Sequence, residues 1–117
     1  MTHSPSCRRP AALRRSWMFV PGLDAAAQAA GLASGTDALV ADLEEFTAKV
    51  ERPAARPRIA ALFAECRAQG VVAAVRINKL EDDGMADLRG VMPGAPDAVF
   101  LPHAESAAQI AALDQAI

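Results

Sequence analysis

The chain has 117 residues, 52% of them hydrophobic and 22% charged, which allows one modest domain with a core and excludes a disordered chain. A formal charge of -2 and a pI near 5.6 give no field that gathers nucleic acid, and no aromatic-plus-basic pattern offers a stacking platform. No apolar run approaches a membrane span and no secretion-signal core opens the chain, so no membrane partner is expected and a cytoplasmic location is.

Residues 1–15 are polar, broken by Pro5 and Pro10, and basic through Arg8, Arg9, Arg14 and Arg15. They read as a flexible tail before a domain over 16–117. Trp17, Met18, Phe19 and Val20 form a short apolar run closed by Pro21 and Gly22, a strand and its turn. Asp24 is placed to cap a helix over 25–33, which Gly35 ends. A second strand follows over 38–43, where Ala38, Leu39, Val40 and Ala41 show no alternation, as in a strand buried on both faces. It gives out in three acids, Asp42, Glu44 and Glu45. Parallel sheets bind ligands beyond the carboxyl ends of their strands, so these acids stand where chemistry would sit. A solvated loop after a core strand has the same composition.

Residues 46–56 read as a loop, and Pro57 as the first turn of a helix whose Ile59, Leu62, Phe63 and Cys66 share one stripe. Cys66 is expected in the core and Cys7 in the tail, without metal-ligand spacing or a disulfide framework, which suits a reducing compartment. The third strand, over 71–77, ends at Arg76 and Asn78; an acidic loop over 79–84 leads to a short helix with Met85 and Leu88 on its inner side. Pro93, Gly94 and Pro96 break the chain before a fourth strand over 98–101, which stops at Pro102 and His103. Ser106 and Gln109 form a capping box for a last helix with Ile110, Leu113 and Ile117 on one face.

Strand followed by helix, four times over, makes an α/β chain of parallel strands with right-handed crossovers. No G-x-G-x-x-G turn follows any strand, which turns the choice from a dinucleotide-binding doubly wound sheet towards a (β/α)8 TIM barrel. Such a barrel takes about 250 residues. The expectation is therefore its first four β/α units, a half barrel with open edges and an inner face carrying Met18, Val20, Val75 and Phe100.

The strand ends carry a second pattern. Arg15-Ser16-Trp17-Met18-Phe19-Val20-Pro21-Gly22, Asp42-Leu43-Glu44-Glu45, the pair Ala55-Arg56, Val75-Arg76-Ile77-Asn78 and Leu101-Pro102 occur in that order. They resemble the R-S-x-x-F-V-P-G, D-L-E-D, Ala-Arg, V-R-I-N and L-P-K pieces of the HpcH/HpaI aldolase and citrate lyase beta-subunit family. The resemblance implies a magnesium-dependent carbon-carbon lyase or aldolase, acting on a 2-oxo or 3-hydroxy acid or its CoA thioester through an enolate. An enolate beside a carboxylate concentrates negative charge, which calls for a fixed guanidinium and a divalent ion.

In that resemblance Arg76 holds the substrate oxygens, and Asp42, Glu44 and Glu45 lie around the metal's water shell and orient their neighbours, as further catalytic candidates. Pro21 and Gly22 let the first loop approach the substrate carboxylate with its N–H groups. From the residues alone, Arg76 also fits an exposed strand-end ion pair, and Pro21 and Gly22 fit a plain turn. No metal ligand is expected within the chain: the family's two metal-binding carboxylates come from the fifth and sixth strands, beyond residue 117, and Glu81, Asp82 and Asp83 match no motif. Glu45 stands for the family's aspartate, and its extra methylene moves the carboxylate by about an ångström, roughly twice the tolerance of a catalytic group. His103 stands for a lysine, a permanent cation that histidine near neutral pH is not. The leading expectation is the N-terminal half of such an enzyme, truncated or separately encoded. The alternatives are a non-catalytic half barrel that associates with a complementary half or with itself, and an unrelated small α/β module. A homo-oligomer is expected.

Overall fold

A computed structural model describes residues 8–117. Four parallel strands, β1 (Trp17–Pro21), β2 (Ala38–Asp42), β3 (Val72–Arg76) and β4 (Ala98–Phe100), lie side by side in sequence order. Between and after them come α1 (Ala25–Ala33), α2 (Arg52–Ala68), α3 (Met85–Val91) and α4 (Ala107–Ala116). A doubly wound sheet reverses its strand order part-way, whereas a barrel adds each new strand beside the last. The observed order is the barrel's winding.

The register places Pro21, Asp42, Arg76 and Phe100 in one row across the four strands, with Phe19, Val40, Ala74 and Ala98 two residues below. Side chains of a strand alternate between faces, so these two rows share one face. A flat sheet of four strands would hold β1 and β4 about 14 Å apart. The Trp17 and Phe100 rings nevertheless meet at 5.5 Å, and Phe19 and Phe100 at 5.9 Å, both edge to face. The sheet is curled, with this aromatic trio closing over its concave side and Val40 and Ala74 buried beneath.

Val20, Leu39, Ala41, Ala73 and Val75 face the other way, into the main core with Ile59, Leu62, Phe63 and Cys66 of α2. This corrects the expected inner face. A Cβ built on Gly31 of α1 would stand 2.5 Å from Leu39 Cδ1, 3.3 Å from Val20 Cγ1 and 3.6 Å from Met18 Sδ, so Met18 and Val20 lie under a helix. Only Phe100 of the four expected residues is on the concave side. An apolar run buried on both faces has no alternation, and its sequence cannot say which side is inside.

Three helical expectations also change. Helix α2 begins at Arg52 behind a 3-10 turn, with Pro53 in its first turn and Pro57 inside it. Pro57 lacks the N–H that would reach the carbonyl of Pro53 one turn back, so the helix forgoes one hydrogen bond in its second turn. The buried stripe thereby gains Ala55. In α3 the inward residues are Asp87, Leu88 and Val91, while Met85 is exposed. The turn over Leu80–Gly84 that leads into α3 is kinked at Asp82, whose φ of -101° and ψ of -126° are not helical. Helix α4 has its capping box, but Leu113 is its one buried residue and Ile110 and Ile117 are half exposed.

Of the expected tail, residues 1–7, with Cys7, lie outside the described residues. Residues 8–15 are tied to the amino ends of the strands. Asp37, just before β2, accepts Arg9 Nε at 3.0 Å, Arg15 Nε at 3.1 Å and the Arg15 backbone N–H at 2.8 Å. Arg8 Nε lies 3.3 Å from Asp97, just before β4. The Arg15 guanidinium holds the Asp37 carboxyl well below the usual range.

Candidate functional site

The carboxyl ends of β2 and β3 meet in one ion pair. Arg76 donates from Nε to Asp42 Oδ1 at 2.9 Å and from Nη2 to Asp42 Oδ2 at 2.7 Å, a two-pronged contact. Asp42 is fully buried. It also accepts the backbone N–H groups of Glu44 at 2.9 Å, Glu45 at 3.2 Å and Phe46 at 3.0 Å. The chain after β2 is wrapped around its own last carboxylate. Burial pushes the Asp42 carboxyl up, but the Arg76 hydrogen bonds and the Glu44 and Phe46 N–H groups outweigh it and leave it below its ordinary value. The Arg76 guanidinium is raised in turn, first by its hydrogen bonds to Asp42.

Glu45 Oε2 lies 3.4 Å from Arg76 Nη2, and Glu44 Oε1 lies 3.8 Å from Arg76 Nε. The Phe19 ring covers the guanidinium, whose central carbon is 4.8 Å from the ring centroid. Among the described residues, Nη1 of Arg76 makes no hydrogen bond. The structure thus brings Arg76, Asp42, Glu44 and Glu45 together. Pro21 shares their row on β1. Gly22 is beside them, but its N–H donates to Thr47 Oγ1 at 2.9 Å, and Pro21 has no N–H at all. A Cβ on Gly22 would meet Ile59 Cδ1 and Thr47 Oγ1 at 2.9 Å and the Asp42 carbonyl at 3.2 Å, so glycine is needed there for close packing. His103 lies apart, in a cleft of about 110 Å³ with Lys79, Glu81 and Leu101.

Sequence reasoning missed the groups that hold this row. Thr47 donates to the Asp42 carbonyl at 2.6 Å while accepting from Gly22, coupling the first two strand-end loops. Gln28 is buried in alanine-rich α1, donates to the carbonyls of Pro21 and Gly22 at 3.1 Å, and accepts Arg58 Nε at 2.8 Å. Its isolation among alanines was a readable signal. Asp87, fully buried, accepts the Asn78 N–H at 2.9 Å, Asn78 Nδ2 at 2.8 Å and Arg56 Nε at 2.9 Å. Asn78 Nδ2 also donates to the Leu43 carbonyl at 2.9 Å, which ties β3 to the loop after β2. Arg52 bridges Asp83 and the Glu44 carbonyl, at 3.0 and 3.2 Å, and holds the Asp83 carboxyl below its ordinary value.

The profile of the HpcH/HpaI aldolase/citrate lyase family matches residues 15–117. The chain belongs to that family. It is 34% identical over 106 residues to the citrate lyase beta subunit of Haemophilus influenzae, covering 90% of this chain and 36% of that protein. The citrate lyase beta subunit of Mycobacterium tuberculosis, solved with oxaloacetate and magnesium, superposes with a TM-score of 0.65 at 34% identity, over 83% of this chain and 42% of that one. A structure of CitE from the same organism, with magnesium, acetoacetate and coenzyme A, gives 0.63 at 32% identity, over 83% and 35%. The chain spans between a third and a half of each of these relatives, and its four-stranded parallel sheet is built as in their TIM-barrel-like fold.

The described residues of this family member do not fit a magnesium site by themselves. Both Asp42 oxygens are engaged by Arg76 and by backbone N–H groups, and Glu44 and Glu45 lean on the same guanidinium. No group of three or more metal-ligating side chains is assembled among the described residues. No helix among them is long and apolar enough to cross a membrane.

Proposed function

We propose that this chain supplies the acid-binding half of a carbon-carbon lyase or aldolase that works on a 2-oxo or 3-hydroxy acid, or its CoA thioester, through an enolate. The observation that carries this reading is Arg76. It is fixed at the end of β3 by a buried carboxylate and shielded on one face by Phe19, while Nη1 is uncommitted among the described residues. A guanidinium with one edge anchored and another open offers a planar donor to a carboxylate or a developing enolate oxygen, with no reorganisation when the charge forms. Asp42 orients it. Glu44 and Glu45 complete the cluster, and the Pro21–Gly22 turn walls it on the β1 side without contributing an N–H.

In this reading residues 16–117 are the first four β/α units of a barrel, and a magnesium ion would take its carboxylates from beyond residue 117. The buried thiol of Cys66 suits a reducing, cytoplasmic setting. The open edges β1 and β4 favour a second reading, a non-catalytic half barrel that pairs with a complementary half or with itself.

Isothermal titration with oxaloacetate or pyruvate, with and without magnesium, tests the proposal on residues 1–117 and on a longer chain continuing past residue 117. Turnover and saturable binding by the longer chain, both lost in Arg76→Lys, are expected. Binding indifferent to Arg76→Lys refutes the assigned role. A longer chain that binds no acid and turns nothing over leaves the second reading.

A further inference from the structure

Three carboxylates share the Arg76 guanidinium, a formal surplus of two negative charges at the point where an acid is to bind. An approaching carboxylate therefore meets repulsion as well as a donor. The three contacts are not equivalent. Asp42 is fully buried and cannot leave without stranding Arg76 and three backbone N–H groups. Glu44 is the most distant, at 3.8 Å. Glu45 sits at 3.4 Å with 67% of its side chain in solvent, at the long limit of a charged hydrogen bond.

The backbone of Glu45 is pinned separately, by its N–H to Asp42 Oδ2 at 3.2 Å. Its side chain can thus rotate into solvent without moving the loop or the guanidinium. We infer that Glu45 is an internal competitor for Arg76: its carboxylate lies against Nη2 in the ligand-free protein and is displaced by the carboxylate of an incoming acid, so that it sets the affinity and anion selectivity of the site. This rests on the reading of Arg76 as the acid-binding residue.

The test is equilibrium binding of oxaloacetate without divalent ions, to the wild-type chain and to Glu45→Gln, Glu45→Asp and Arg76→Met. Thermal midpoints confirm that each variant is folded. Glutamine keeps the size of Glu45 and removes its charge, so Glu45→Gln should bind about two to five times more tightly, the range set by an exposed ion pair. Glu45→Asp, one methylene short of Nη2, should lie between. Salt should narrow the gap, because the competing contact is exposed. If the wild type binds, Arg76→Met does not, and Glu45→Gln binds no more tightly than the wild type, the competitor role is refuted while Arg76 keeps its own. If Arg76→Met binds as well as the wild type, or no variant binds, the reading of Arg76 falls and the competitor with it.

Discussion

Arg76 and Asp42 join β3 to β2 through two hydrogen bonds of 2.9 and 2.7 Å at a single level of the sheet, and the same carboxylate gathers three backbone N–H groups of the loop that follows. One side chain thus fixes both the orientation of the guanidinium and the path of the chain bearing Glu44 and Glu45. Asp42→Asn keeps one acceptor oxygen and turns an NH2 towards a cation. The expected cost is about 3 kcal/mol in urea unfolding, the low end for a broken buried pair because a fifth of the Arg76 side chain stays in solvent. Glu45→Gln should change stability by less than about 0.5 kcal/mol.

Stability should also fall in acid through this pair. The folded-state Asp42 carboxyl is below its ordinary value, so the unfolded chain binds its proton first as pH drops. The contribution is complete above the ordinary carboxylate range near pH 4 and disappears as pH descends through the lower folded value. Urea midpoints from pH 7 to pH 3 should fall less steeply for Asp42→Asn than for the wild type. Parallel slopes would show that other groups, Asp37 and Asp83 among them, carry the acid dependence.

Asp87 should matter more to the fold than its place in a short helix suggests. Asp87→Ala removes the acceptor for the Asn78 N–H and Nδ2 and leaves Arg56 largely buried without its partner. A loss of about 3–5 kcal/mol in urea unfolding is expected, with partial recovery in Asp87→Asn, which keeps an acceptor. A loss under about 1 kcal/mol would mean that water replaces the carboxylate easily.

Cys66 should be chemically silent in the folded protein. Burial, with smaller help from Glu65 and Asp97, pushes its thiol up to about 11. In a Cys7→Ser background, iodoacetamide at pH 8 should label the chain only as fast as it opens, and labelling should accelerate with urea in step with unfolding. Prompt labelling in buffer would contradict the burial of this face of α2.

Residues 1–117 on their own should associate. Among the described residues both outer strands present open backbone edges, and Trp17 and Phe19 are partly exposed on β1. Sedimentation at tens of micromolar, roughly where such edges meet, should show concentration-dependent species larger than a monomer. A compact monomer without dye-binding apolar surface would show that the curled aromatic face protects the sheet.

The strands and their order were legible because each apolar run stops at a turn or a charge, and the order of β/α units leaves few windings. The residues of the Arg76 cluster were legible one by one, through motifs at strand ends. Their mutual pairing was not, because parallel register is set by crossovers that leave no local mark in the strands. The resemblance aimed Arg76 at substrate oxygens and the residues alone allowed an exposed strand-end ion pair, but neither named Asp42, which takes Nε and Nη2. Pro57 misled because proline favours a helix start and Pro53 already filled that place. Asp87 was hidden because a buried acid in a short helix looks like a solvated one until Arg56 and Asn78 are seen beside it.

Trp17 is the chain's one tryptophan, and the chain has no tyrosine. Its ring touches the edge of Phe100 from the opposite outer strand and lies 5.9 Å from the Arg14 guanidinium carbon at the entry to β1. Ultraviolet emission from this chain therefore comes from a single reporter placed across the mouth of the curled sheet. Unrolling of the strands, or insertion of further strands between β4 and β1, would separate that ring from Phe100 and register as a change in colour and lifetime, with no label attached.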